Sequence, residues 1–115
     1  MLNRQMIQPE KMLALLSNPG EGLFAIRGRM ETKTYQVLLY KYGEEFLLLK
    51  NPYLLHILMD NPYNYSWSDQ DLLNNIEDTL ENNYYYPASK EWVDLDLRIL
   101  KQIESVEIEW FQMEE

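Results

Sequence analysis

Hydrophobic and polar positions change their period several times along the chain, and each change marks an element. Met12, Leu13, Leu15 and Leu16 fall on one side of a short helix opened by Pro9, where a missing N–H costs nothing. Asn18-Pro19-Gly20 ends it, because proline cannot continue a helix and glycine accepts a left-handed turn. Gly22 to Met30 then alternates as a strand, with Phe24, Ile26 and Met30 on one face and Arg27 and Arg29 on the other.

Glu31-Thr32 is placed as a hairpin turn, followed by a second strand from Lys33 to Tyr42. Tyr35, Val37 and Leu39 share one face of that strand, and Leu38 and Tyr40 the other. Gly43 marks a further turn before a short buried strand, Phe46 to Leu49. Connections this short cannot make parallel crossovers, so the three strands are expected to form an antiparallel meander.

Asn51-Pro52-Tyr53 reads as a capped helix start, with the helix running to about Met59. A second Asn-Pro-Tyr at Asn61 opens an aromatic loop that contains Tyr65 and Trp67. Ser68-Asp69-Gln70-Asp71 resembles a capping box with Asp in place of Glu. The helix it starts, roughly Asp69 to Asn83, carries Leu72, Leu73, Ile76 and Leu80 on one side and is broken by Tyr84-Tyr85-Tyr86-Pro87.

Trp92 to Ile103 fits either period. Leu100-Lys101-Gln102-Ile103-Glu104 tips the reading to helix, since these residues are good helix formers. Val106, Ile108 and Trp110 then alternate with Glu107 and Glu109, a final strand expected at a sheet edge. The expectation is one α+β domain over residues 1–115. Its small antiparallel sheet, a three-stranded meander plus a C-terminal strand, would carry helices packed on one face.

Composition narrows the chemistry. The chain has no cysteine, which removes disulfides, thiolate catalysis and Cys-ligated zinc. An apolar run such as Phe46–Leu49 is far short of the roughly 20 residues a membrane span needs, and Met1–Glu10 has no charged leader followed by an apolar stretch. A cytoplasmic protein without membrane association is expected. Net charge is −9, unevenly placed: seven basic and five acidic residues up to Ile57, three basic and fourteen acidic from Leu58 onward. That second half should repel phosphate backbones, which argues against direct nucleic-acid binding, and should attract a basic protein surface. Ordinary solubility is the plainer explanation of the same charge.

No motif announces catalysis. His56 is the sole histidine, has no G-x-S-x-G elbow with it, and fits the polar rim of a packed helix. Asp69 with Asp71 and Asp94 with Asp96 are two apart, about 200° around a helix, so neither pair converges on a metal. First-turn acids also complement a helix dipole. Pro19-Gly20-Glu21-Gly22 precedes a strand, whereas nucleotide loops follow one. No cofactor is implied.

The surface chemistry therefore points to a non-enzymatic, acidic protein-binding module. Such an inhibitor or immunity-type protein would occupy a basic, possibly nucleic-acid-binding surface of a partner as a nucleic-acid mimic. Small acidic α+β chains occur among immunity proteins, antitoxins and phage-encoded inhibitors of host defence, an analogy of class and not of sequence. Asp69, Asp71, Asp78 and Glu81 are the candidate steering charges, and Tyr63, Tyr65, Trp67 and Tyr85 the candidate anchors within a larger aromatic group that includes Tyr53, Tyr84 and Tyr86. One alternative is a nucleotide-like ligand stacked on those aromatics, its phosphate held by Arg27, Arg29 or Lys33. Another is a homo-oligomer in which the basic hairpin of one copy meets the acidic half of the next.

Overall fold

The computed structural model describes residues 3–18, 20–30, 33–60, 68–100, 102 and 105–113. In chain order the elements are β1 (Asn3–Ile7), α1 (Pro9–Ser17), β2 (Glu21–Met30), β3 (Lys33–Tyr42) and β4 (Glu45–Leu49). There follow α2 (Pro52–Leu55), which runs on as a π-helical turn over His56–Asp60, then α3 (Asp69–Glu81), β5 (Tyr85–Ala88), α4 (Lys90–Leu100) and β6 (Ser105–Gln112). The strands form one six-stranded sheet in the order β1-β6-β2-β3-β4-β5, with every neighbouring pair antiparallel.

The meander is present as expected. β2 and β3 pair along their whole length, from Glu21 opposite Tyr42 to Met30 opposite Lys33, and β4 returns against β3 through a turn in which Gly43 takes φ 61°. The Glu31-Thr32 turn lies outside the described residues. The sheet is larger than the sequence reading allowed, because β1 and β5 each add an edge. Both are short and mostly polar or aromatic, so they gave no clear alternation.

Helices cover both faces of the sheet, not one. Leu23, Phe24, Ala25 and Ile26 are consecutive and all buried, and a strand buried on both sides needs a layer on each. On one face Leu23, Ala25, Leu38, Tyr40, Leu49 and Phe111 pack against Leu54, Leu58, Leu72 and Ile76, from α2, its π turn and α3. On the other, Phe24, Ile26, Leu39, Phe46, Ile108 and Trp110 pack against Met12 of α1 and Val93 and Leu100 of α4.

The C-terminal strand also departs from expectation, since β6 sits inside the sheet between β1 and β2. Its alternating glutamates suggested a solvated edge. In place they answer arginines on the neighbouring strands, with Glu107 opposite Arg27 in the register and Glu109 near Arg4 and Arg27.

Two local arrangements fix how α1 and β2 meet the rest. Gly22 has no side chain where the Trp110 indole lies: a Cβ there would come within 2.2 Å of Trp110 Cη2 and 2.7 Å of the Phe111 carbonyl oxygen. The same indole packs on Phe24 with ring centroids 4.3 Å apart. Lys41, only 1% exposed, donates from Nζ to the carbonyls of Asn18 (2.5 Å) and Gly20 (3.1 Å). It places a cation at the carboxyl end of α1, whose last turn has no basic residue of its own. Among the described residues no helix is long and apolar enough to cross a membrane.

Candidate interaction surface

The expected capping box is formed at the start of α3. Ser68 Oγ accepts the Asp71 N–H at 3.1 Å, and Asp71 Oδ2 accepts the Ser68 N–H at 2.9 Å. Leu72, Ile76 and Thr79 are buried against the sheet, which turns Asp71, Asn74, Glu77, Asp78 and Glu81 to solvent. Asp69 is half-buried in the first turn. Between Asp69 and Glu81 there are five acidic residues and no basic one. Among the described residues no cation pairs with Glu77, Asp78 or Glu81. Glu77 was not among the candidates read from sequence, although its spacing of four from Glu81 puts the two on one stripe.

The acidic half of the sequence is not acidic everywhere in space. Arg27 Nη2 lies 2.8 Å from Glu107 Oε2, and α4 mixes Lys90 and Arg98 with its acids. Burial raises the Glu109 carboxyl above its ordinary range, opposed in turn by the charges of Arg4 and Arg27. The glutamates of β6 are thus compensated across the sheet by arginines from the first half of the chain. No arginine or lysine answers Glu77, Asp78 and Glu81 on the outer face of α3 in this way, among the described residues.

Aromatic residues gather where α3 ends. Asn83 takes φ 59°, turning the chain so that the Tyr84 N–H reaches the Thr79 carbonyl at 3.0 Å and the Tyr84 carbonyl receives the Lys50 N–H at 2.7 Å. From there β5 alternates. Tyr85 is half-buried against the core beneath α2 and α3, with its hydroxyl 3.2 Å from Asn83 Oδ1. Tyr84 and Tyr86 are 54% and 63% exposed, and Lys50 Nζ stands 5.9 Å from the centre of the Tyr86 ring. Tyr53, 58% exposed, opens α2 just after the buried Asn51. Tyr53 and Tyr84 are thus exposed next to the Asn51–Thr79 link at the end of α3, whereas Tyr86, opposite Leu48 in the register, projects from the α1 and α4 side of the sheet. Tyr63, Tyr65 and Trp67 lie outside the described residues. Alternation within Tyr84–Ala88 was the signal that separates Tyr85 from its neighbours, and it becomes readable only once the segment is taken as a strand.

The other candidates are dispersed. Arg29 is exposed two positions beyond the paired Arg27, while Lys33 is opposite Met30, one step out of phase with both. His56 is exposed on the π turn. Asp94 is exposed on α4, where it borders a cleft between α4 and α1. Among the described residues no three His, Cys, Asp or Glu side chains converge. No family model matches the chain, and neither a curated protein nor a solved structure matches it.

Proposed function

We propose that this protein is a non-enzymatic binding module that docks the outer face of α3 on a basic surface of a partner protein. It acts as an inhibitor or immunity-type protein by occupying that surface. The observation that carries the reading is the concentration of charge on α3, with five acids and no base over thirteen residues, while the glutamates of β6 lie beside Arg4 and Arg27. Tyr53 and Tyr84 stand exposed next to the Asn51–Thr79 link at the end of α3 and supply contact area with polar tips. A surface built to hold phosphates is the class of target that a row of carboxylates fits. The nucleotide-binding alternative loses support because Arg27 is already paired with Glu107.

A tagged pull-down from the native host, washed at low and at high salt, tests this. One dominant basic or nucleic-acid-binding protein, released by salt, is the expected result. Its equal recovery by a variant with Glu77, Asp78 and Glu81 all changed to Lys would overturn the assignment of the surface. Recovery of the protein alone would favour self-assembly instead.

A further inference from the structure

We infer that the cleft between α1 and α4 binds a small organic cation, an ammonium carried on an aryl or alkyl body. The cleft encloses about 590 Å³, within the range of about 300–1,000 Å³ typical of small-molecule sites. Its floor is apolar, made by Leu13 and Leu16 of α1, Phe46 of β4 and Val93 of α4. Its rim carries two exposed carboxylates, Glu44 in the turn before β4 and Asp94 on α4, against one exposed ammonium, Lys90. The carboxyl end of α1 closes one side through Ser17 and Asn18.

The carboxyl end of α1 is already answered by Lys41, whose Nζ is held by the Asn18 and Gly20 carbonyls and which does not line the cleft, so the charge of the cleft is set by the groups on its rim. A ligand that lays its apolar body on Leu13, Leu16, Phe46 and Val93 would present its charge to Glu44 and Asp94. A carboxylate of the same shape would meet two like charges. The cleft is on the face of the sheet opposite α3, so this site and the docking surface stand or fall separately.

The probes are 2-phenylethylamine and 3-phenylpropionate, matched in shape and opposite in charge, titrated into the full chain with methyl NMR of Leu13, Leu16 and Val93. Saturable shifts at these methyls with the amine, at a Kd of about 1 mM or tighter, are expected. The carboxylate should produce none. The double change Glu44→Gln and Asp94→Asn, both at exposed positions, should leave the spectrum of the free protein folded and weaken the amine about fivefold. Equal binding of the carboxylate, unchanged affinity in the double variant, or no saturable shift with the amine would each overturn the assignment.

Discussion

The side chain of Asn51 joins the starts and ends of two helices: its Nδ2 donates to Thr79 Oγ1 at 2.9 Å, and both residues are buried. Its Oδ1 accepts the N–H groups of Tyr53 and Leu54 at 3.0 and 3.3 Å, while the Thr79 hydroxyl donates to the Asn75 carbonyl at 2.6 Å. One amide thereby caps α2, fastens it to α3 and fixes the base from which Tyr53 and Tyr84 project. Asn51→Ala removes the cap and the bond that the buried Thr79 hydroxyl accepts, and should lower stability by about 2–3 kcal/mol in a urea titration. Asn51→Asp keeps the accepting oxygens but not the donor, so its loss should be smaller at neutral pH than that of the alanine variant.

Gly22 tolerates no side chain. Its Cβ would overlap Trp110 Cη2 and Cζ3 at 2.2 and 2.6 Å, as well as the Phe111 carbonyl at 2.7 Å. Gly22→Ala should destabilise by about 2 kcal/mol or more through overpacking. Combining it with Trp110→Phe takes away the offending ring atoms but leaves the carbonyl. A double-mutant cycle should therefore return a favourable coupling that recovers only part of the loss.

Glu109 gives the fold a pH-dependent component. Because burial outweighs the arginines and raises its carboxyl above the ordinary value of 4.5, the native state favours the protonated form more than the unfolded chain does. Its contribution is then complete below that value and is lost as pH rises through the folded-state value. Glu109→Gln should accordingly raise the thermal midpoint at pH 7 and show no such gain well below pH 4.5. A variant that gains nothing at pH 7 would mean that Arg4 and Arg27 compensate the charge fully.

Charge and aromatic area on the docking face should separate kinetically. With a purified partner, Asp78→Lys and Glu81→Lys together should slow association about tenfold at low ionic strength, an effect that fades in high salt. Tyr53→Ala and Tyr84→Ala should act mainly on dissociation, making the complex shorter-lived. Surface plasmon resonance at two salt concentrations distinguishes the two classes.

Local signals in the sequence were enough for the elements that stabilise themselves. The capping box at Ser68, the Asn51 cap, the β2–β3–β4 meander and the helical reading of Trp92–Ile103 all rest on neighbours within a few residues, and the structure contains them, the last from Lys90 and only as far as Leu100. What escaped depended on partners far along the chain. β1 and β5 are strands because β6 and β4 offer them ladders, not because their own residues alternate strongly. Glu107 and Glu109 look like solvent-facing edge charges until Arg27 and Arg4 are placed beside them. The second helical layer was missed for a related reason. Leu38 and Tyr40 opposite Tyr35 and Leu39 showed two apolar faces, yet nothing local said that α1 and α4 would take one and α2 and α3 the other. For the candidate surface, the acids of α3 were legible as a stripe, whereas the exposure of Tyr84 and Tyr86 around a half-buried Tyr85 depended on β5 being recognised.

The order of strands also sets a timetable for synthesis. β1 is the first described element to be translated, yet in the sheet it pairs only with β6, the last. Until β6 leaves the ribosome, β1 has no ladder, and β2 shows an open edge carrying Phe24 and Ile26. The hairpin and the α3 face can assemble beforehand around β2, β3 and β4. Locking of the sheet is therefore a single late event, and a ribosome that stalls before Ser105 would release a chain with its central strand half-dressed and prone to pair with whatever strand it meets.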